Sequence, residues 1–343
     1  MGLIFSKKGK LVQAVKQGNR ETVEALLNKG VDPNSVDDHG HSLLMLASLD
    51  GHTEIVELLL EKGAEVNAKK TSDGVSAVFL ASLNGHAEIV KLLLQKGADV
   101  DVKETKLGTT ALWMASQNGH AEVVRLLLEK AAEVNVRRTT DGTTPLFMAS
   151  RNAHTDIVKL LLEKGADVNL KETTGGVPAL WVASERGHVG VVKLLLEKEA
   201  DLNAKEATRR VPALWMASQN GHAEVVKLLL EKGADINVKD TDGSATAFWM
   251  ASQNGHAEVV KLLLEKGADV NEKAGLQRLT ALMWASANGH TNIAKLLLAK
   301  GADVNIKVTI DNVGVTALML AKGAQGRDTK DIVDLLKNAG AKE

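Results

Sequence analysis

The dipeptide Gly-His recurs along the chain every 34 residues, and this period constrains the fold more than any other feature. Eight copies in one register cannot arise by chance, and alanine replaces the glycine only once, at Ala153. A period of this length is typical of a stack of small supersecondary units, not of one closed core. The histidines are His52, His86, His120, His154, His188, His222, His256 and His290.

Each period contains two helical patterns separated by a glycine. Apolar residues lie at helical spacing before Gly119, at 111–115, and a broader apolar stretch follows it at 123–128. A Lys-Gly-Ala-Asp-Val-Asn segment then appears, as at 164–169, where Gly165 supplies the left-handed residue that ends a helix. Each unit is therefore predicted to be helix, turn, helix and loop, and the fold class is an all-α repeat solenoid.

The units resemble the ankyrin repeat, on two matching segments. Thr144-Pro145-Leu146 matches the start of its Thr-Pro-Leu-His-x-Ala signature, and 165–169 matches Gly-Ala-Asp-Val-Asn. The resemblance implies a single ankyrin-repeat stack of helix-turn-helix units with projecting finger loops over residues 10–343, after an N-terminal segment of residues 1–9. We expect ten repeats, beginning near Leu11, Ser42, Ser76, Thr110, Thr144, Pro178, Pro212, Thr246, Thr280 and Thr316.

The end repeats carry polar or small residues where the others are apolar. Thr22 and Ala25 occupy the positions of Ile293 and Leu296, and Lys337 occupies that of Leu298. Since stacked units must end in solvated faces, the first and last repeats are predicted to act as caps.

Large apolar residues replace the histidine of the family signature. Such a row would be a binding stripe if exposed, but large apolar side chains at helical spacing are mostly core, and we favour burial between repeats. Losing the histidine removes its usual hydrogen bonds, so the first helices should be held by packing. The row, here called the aromatic ladder, is Met45, Phe79, Trp113, Phe147, Trp181, Trp215, Trp249, Met283 and Met319.

The finger loops, which run from the loop asparagine to the next helix, are one residue longer from the third repeat to the ninth, as between Asn135 and Thr144. Insertions in repeat arrays collect on one face, which is often the binding face. A uniform insertion therefore indicates either a contact surface or an inherited duplication.

Several expected capping residues are absent. Ala131 and Glu199 stand where the helix-ending glycine belongs, at a cost of about 1 kcal/mol each for a left-handed backbone. Pro178 and Pro212 replace the threonine that would cap the first helix. We expect these repeats to be locally softer.

Composition excludes several classes of chemistry. The chain has 42 basic and 43 acidic residues and no cysteine, so it has no basic excess for nucleic acid and no thiolate chemistry. The periodic histidines are too far apart to share a metal ion, and an intra-repeat hydrogen bond is their expected role. We predict no enzyme, no metal and no cofactor.

A protein or peptide partner is implied by the resemblance, contacting the finger loops and the exposed side of the first helices. The helix positions are polar: Gln117, Asn118, Arg151, Asn152, Glu185, Arg186, Gln219, Asn220, Gln253 and Asn254. The fingers carry a mild basic surplus that includes Arg137, Arg138, Arg209 and Arg210, which suits an acidic peptide or is solvated loop charge.

The first residues fit an N-myristoylation pattern, with Gly2 as acceptor and Ser6 at its preferred place. Lys7, Lys8 and Lys10 would add the electrostatic signal that one acyl chain needs. The alternative is that Ile4 and Phe5 pack on the first repeat.

The main hypothesis is a monomeric, cytoplasmic interaction scaffold that has no nucleic-acid partner and associates with a membrane only if Gly2 is acylated. The alternatives are a membrane-tethered adaptor or pathogen effector, and an engineered array without a natural partner. The near identity of 117–124, 219–226 and 253–260 is compatible with the latter.

Overall fold

The computed structural model describes residues 6–241, 245–324 and 329–342, and confirms the predicted repeat solenoid. Within these residues the helices are α1 (Lys7–Lys16), α2 (Arg20–Asn28), α3 (Leu43–Asp50), α4 (Thr53–Glu61), α5 (Ala77–Asn84), α6 (Ala87–Gln95), α7 (Ala111–Asn118), α8 (Ala121–Glu129), α9 (Pro145–Arg151), α10 (Thr155–Glu163), α11 (Ala179–Glu185), α12 (Val189–Glu197), α13 (Ala213–Gln219), α14 (Ala223–Glu231), α15 (Ala247–Asn254), α16 (Ala257–Glu265), α17 (Ala281–Asn288), α18 (Thr291–Ala299), α19 (Ala317–Gly323) and α20 (Lys330–Asn338). Two short antiparallel hairpins, β1 (Lys273–Ala274) with β2 (Leu279–Thr280) and β3 (Val308–Ile310) with β4 (Val313–Val315), lie in the last two finger loops.

The helices divide into two compact units, one ending at Thr174 and the other beginning at Gly175. In each unit the first helix of a repeat packs on the first helix of the next, as α5 does on α7 and α13 does on α15. The second helices form a parallel series, as α6 does with α8 and α14 does with α16. Each unit is therefore a nearest-neighbour stack, in which apolar faces are buried between repeats. The first helix, α1, begins at Lys7 and therefore includes the end of the N-terminal segment of residues 1–9.

The ends are polar where the sequence predicts caps. Thr22 and Ala25 on α2 are exposed, and so is Lys337 on α20. Met319, the last member of the aromatic ladder in this sequence, is 40% exposed.

Most first helices begin with a hydroxyl cap. Thr144 Oγ1 accepts the Phe147 N–H at 3.1 Å, which satisfies one of the free amides of the first turn. Pro178 and Pro212 stand at the same N-cap position and provide no side-chain acceptor. Their carbonyl oxygens accept instead, as Pro178 does from the Trp181 N–H at 3.1 Å.

The left-handed positions of the helix ends are kept even where glycine is lost. Ala131 has a φ of 60° and Glu199 a φ of 58°, so both side chains adopt the conformation that glycine would take without strain. The expected local cost of about 1 kcal/mol therefore has a structural basis.

The Gly-His pair joins neighbouring repeats, and the prediction of an intra-repeat hydrogen bond is wrong. His120 Nε2 lies 3.0 Å from the carbonyl oxygen of Leu83, which belongs to the preceding repeat. Because a carbonyl only accepts, the proton is on Nε2. The imidazole also lies over the turn glycine of that repeat, since a Cβ added to Gly85 would meet His120 Nδ1 at 2.5 Å. We call this arrangement the Gly-His contact; it recurs for His86, His154, His222, His256 and His290.

Two alanine substitutions separate the backbone requirement for glycine from its role in stacking. Gly221 and Gly233 both have left-handed backbones, with φ of 77° and 87°. A Cβ on Gly233 meets nothing within 4 Å, whereas one on Gly221 would lie 2.5 Å from His256 Nδ1. We expect Gly233→Ala to lower the free energy of unfolding by about 1 kcal/mol and Gly221→Ala by a further ~1–3 kcal/mol, measured by urea unfolding. Equal losses would show that the histidine contact adds nothing.

A buried carboxylate joins the first repeat to its finger loop. Asp37 Oδ2 accepts from Lys16 Nζ at 2.9 Å, and Oδ1 accepts the His39 and His41 backbone N–H groups at 3.0 and 2.9 Å. Burial acts to raise the pKa of Asp37, but these hydrogen bonds, with the charge of Lys16, hold the pKa well below its ordinary value.

This depressed pKa makes the N-terminal repeat sensitive to acid. The stabilisation from ionised Asp37 is complete above its unfolded pKa of about 4 and is lost as pH falls below that value towards the folded pKa. We expect Asp37→Asn to lower the free energy of unfolding by about 1–3 kcal/mol at pH 7, with the difference from wild type shrinking between about pH 4 and pH 2. A difference that stays constant over this range in urea titrations would contradict the assignment.

Candidate functional site

The aromatic ladder is core, as predicted, at every position except Met319. Met45, Phe79, Trp113, Trp215 and Met283, for example, are at most 6% exposed. The indoles do more than pack, however, because each ladder tryptophan donates its Nε1–H to a carbonyl at the base of the next finger loop. The bonds are Trp113 to Thr143, Trp181 to Val211, Trp215 to Ala245 and Trp249 to Leu279, all between 3.0 and 3.1 Å.

The expectation that the first helices are held by packing alone is therefore wrong where the ladder residue is tryptophan. Tryptophan replaces the family's histidine with another ring N–H donor, directed at the neighbouring repeat. The ladder thus fixes the base of each finger loop, on which any contact surface has to be built.

Arginines of the fingers lie on two of these tryptophans. The guanidinium carbon of Arg138 is 5.4 Å from the Trp113 ring centroid and that of Arg209 is 5.1 Å from the Trp215 centroid, within cation–π range. Arg138 also pairs with Asp141 at 3.4 Å. Two of the four predicted finger arginines are therefore held at the finger base.

The other two predicted finger arginines differ from these. Arg137 is exposed and donates from Nη2 to the Lys171 carbonyl at 2.7 Å. Arg210 is exposed and has a left-handed backbone, with φ of 57°.

The predicted asparagines at the ends of the first helices take part in stacking. Asn118 Nδ2 donates to the Leu83 carbonyl at 2.9 Å, the same oxygen that His120 approaches. Equivalent bonds run from Asn152 to Gln117, Asn220 to Glu185 and Asn254 to Gln219. Their amide N–H groups thus face the preceding repeat, although the side chains stay exposed.

The remaining predicted helix-end residues lie on the same edge. Gln117, Glu185, Gln219 and Gln253 are half-buried, whereas Arg151 and Arg186 are exposed. The backbone carbonyls of Gln117, Glu185, Gln219 and Gln253 accept hydrogen bonds from the following repeat.

The acidic residues of several finger loops are turned inward. Glu104 is buried, and its two carboxylate oxygens accept the Lys106 and Leu107 backbone N–H groups at 2.6 and 2.8 Å. Glu206 is buried in the same way and accepts from Thr208 and Arg209. Because these carboxylates cap their own turns, the surface of the fingers is more basic than residue counts indicate.

The lengthened fingers bond to one another through their backbones. Thr139 N–H donates to the Leu107 carbonyl at 2.8 Å, and Thr241 N–H donates to the Arg209 carbonyl at 2.8 Å. Thr105 to Asp73, Thr173 to Asp141 and Ala207 to Gly175 repeat the arrangement. Within each unit, neighbouring finger tips are therefore joined by backbone hydrogen bonds.

Sequence reasoning missed a second apolar row, one position after the ladder, beside the fingers. Met114, Met250 and Trp284 in this row are partly exposed, whereas Met148 and Met216 are buried. The signal in the sequence was the order of two residues, because Trp-Met in α7, α13 and α15 becomes Met-Trp in α17.

A groove of about 510 Å³ opens beside this row in the second unit. Its walls include Met250 and Trp284 from the first helices and Gly275 and Leu276 from the ninth finger. Leu276, at the edge of this groove, is 96% exposed.

Comparison with known families decides the assignment. A family model described as "Ankyrin repeats (3 copies)" matches residues 11–104, 101–172, 171–240, 214–308 and 248–342. The chain belongs to the ankyrin-repeat family. No curated protein matched the chain.

Ankyrin repeats generally mediate protein–protein interaction, and the family is typically non-enzymatic. In the part of this ankyrin array that the structure describes, no group of three or more histidine, aspartate or glutamate side chains is placed to hold a metal ion. No helix in the same residues is long and apolar enough to cross a membrane. Gly2, the predicted acylation site, lies outside the described residues, while Ser6 caps α1 by accepting the Gly9 N–H at 3.1 Å.

The ladder hydrogen bond can be tested at Trp215. Trp215→Phe keeps an aromatic ring but leaves the buried Ala245 carbonyl without its donor, so we expect the free energy of unfolding to fall by about 1–3 kcal/mol. Phe79→Leu is the matched control, because it changes a ladder ring that donates no hydrogen bond. Hydrogen exchange of amides near Ala245 should rise in the Trp215 variant; unchanged exchange there would contradict a role in holding the finger base.

Proposed function

We propose that this chain is a non-enzymatic scaffold that binds a protein partner through its finger loops and the adjoining ends of its first helices. The observation that carries the proposal is the division of charge within the fingers. Carboxylates such as Glu104 and Glu206 accept hydrogen bonds from the backbone of their own loops, while lysines such as Lys106 and Lys205 are exposed. Solvated cations beside half-buried amides form a surface suited to recognition.

The charge pattern favours a partner with an acidic surface. Lys106, Lys171 and Lys205 are exposed and have no ion-pair partner among the described side chains. Arg137 and Arg210 are further exposed finger cations, one in each unit. Such charges raise the rate of encounter with an acidic partner and are sensitive to salt, without requiring a large buried area.

The remaining parts of the proposal follow from composition and family. The formal charge of −1 gives no overall attraction to nucleic acid, and we propose a cytoplasmic monomer. Membrane contact would need acylation of Gly2; Lys7, Lys8 and Lys10 are exposed at the start of α1 and would support it. An intact mass without added acyl mass after co-expression with a myristoyl transferase would exclude that anchor.

The binding surface can be tested by matched charge reversals. The finger variant Lys106→Glu/Lys171→Glu/Lys205→Glu changes exposed cations at the finger tips, and the control Lys159→Glu/Lys193→Glu/Lys227→Glu changes the same charge on α10, α12 and α14. Quantitative mass spectrometry measures the amount of each protein that cross-links to the chain in the source cell. We expect this amount to fall at least fivefold from wild type to the finger variant and to stay unchanged in the control.

Two outcomes would count against the scaffold function. Equal loss from both variants would place the contact elsewhere or show a general charge effect. Absence of any cross-linked protein with the wild type would favour an array without a natural partner.

A further inference from the structure

The ninth repeat departs from the pattern of the others at three neighbouring positions. Its first helix has Met283-Trp284 where the preceding repeat has Trp249-Met250. Its finger has Gly275-Leu276 where earlier fingers have a threonine or alanine followed by a polar residue, as at Ala207-Thr208. All three departures line one groove, so they act on one place.

The exchange of methionine and tryptophan moves an indole out of the ladder. Met283 takes the buried ladder position, at 1% exposure, and Trp284 lies one position further on, partly exposed. Trp284 meets Trp249 edge to face, with centroids 5.7 Å apart and an interplanar angle of 88°. Unlike the ladder indoles, its Nε1–H is covered and has no acceptor.

Glycine brings the finger backbone onto the neighbouring indole. A Cβ on Gly275 would lie 2.7 Å from Trp249 Cζ2, so no other residue allows this approach, and its φ of 74° is also left-handed. The next residue, Leu276, is consequently carried to the rim, where it is 96% exposed. A leucine held in water beside an indole and Met250 forms one side of an open apolar slot.

Cations line the groove and the recess beside it: Arg209 lines the groove, and Lys273, Arg278 and Lys307 line a recess that shares Leu276 and Gln277 with it. Lys273, Arg278 and Lys307 are exposed and have no ion-pair partner among the described side chains. The acids nearby are occupied: Asp240 accepts the Ala245 N–H at 3.2 Å, and Glu272 pairs with Lys239 at 3.3 Å. The groove therefore pairs apolar walls with a positive edge.

We propose that this groove binds an extended acidic peptide segment, which inserts one large apolar side chain between Leu276 and Trp284. The flanking acidic side chains face Lys273, Arg278 and Lys307. The inference rests on the proposed function, since it names one subsite on the finger and first-helix surface and the class of partner that fits it.

The chain's five tryptophans make a direct test possible, because indole N–H signals of the 15N-labelled protein report each site separately. The probe is a synthetic peptide with a central Leu-Phe flanked by three glutamates on each side. We expect it to shift the signals of Trp284 and Trp249 in a saturable manner and to leave Trp113 unmoved. A peptide with lysine flanks, and one with Ala-Ala at its centre, should each bind at least tenfold more weakly.

Two groove variants and one control complete the test. Leu276→Ser, and the exchange Met283→Trp/Trp284→Met that restores the order of the other repeats, should each weaken the acidic peptide at least tenfold. Leu107→Ser is the control, because Leu107 is an exposed leucine, 37% exposed, on another finger. Thermal unfolding of each variant checks that the array is intact. A groove variant that unfolds at a lower temperature than the wild type is replaced by Leu276→Asn.

The outcomes separate this inference from the scaffold function. An unmoved Trp284 signal at millimolar peptide, equal binding of the lysine-flanked peptide, or no loss with Leu276→Ser would overturn the groove assignment. If the finger reversals at Lys106, Lys171 and Lys205 still release a cellular partner in that case, the scaffold function stands without the groove. Peptide binding with no cellular partner captured would support the groove and contradict the wider surface.

Discussion

The contact between the turn glycine of one repeat and the histidine of the next is the interaction on which each unit of the structure depends. The glycine lacks a Cβ, so the imidazole lies against the backbone and donates to a carbonyl of the preceding repeat, where the asparagine amide donates as well. One carbonyl thus receives two side-chain donors in the junctions made by His86, His120, His154, His222 and His256. Since no repeat can bury its apolar faces alone, this junction sets the registry in which those faces meet.

Sequence periodicity was enough to predict the helices, their glycine ends, the polar caps and the burial of the aromatic ladder. It could not predict in which repeat a hydrogen-bond partner lies. When every repeat carries the same residues, a donor in one unit has an identical acceptor in its own unit and in the next, and the pattern is unchanged by a shift of one period. The sequence predicts an intra-repeat bond for the histidines and packing alone for the ladder tryptophans, whereas the structure shows that both bond to a neighbouring repeat.

The candidate surface was predicted in outline and missed in detail. Polar residues at the helix ends are visible in the sequence, but the structure uses the amide N–H groups of Asn118 and Asn220 for stacking. Conversely, Trp284 looks like a core residue in sequence, because a large apolar side chain one position from the ladder still fits a helical period. Its partial exposure, which Met114 and Met250 share at the same position of other repeats, is seen only in the structure.

A repeat array restricts the positions at which binding residues can evolve, because the residues that join the repeats have to recur. Positions that depart from the repeat pattern can therefore be used to locate a binding site. The junction residues have to recur, because changing one disturbs two repeats at once; the ninth repeat accordingly keeps the contact, with His290 Nε2 at 3.3 Å from the Gln253 carbonyl. Positions outside the junction are free to differ without loss of registry. In the ninth repeat the differences at Gly275, Leu276 and Trp284 meet in one groove, although they are spread over a finger and a helix. Drift at independent positions has no reason to converge in space, so convergence of this kind indicates a requirement of binding more than one of folding.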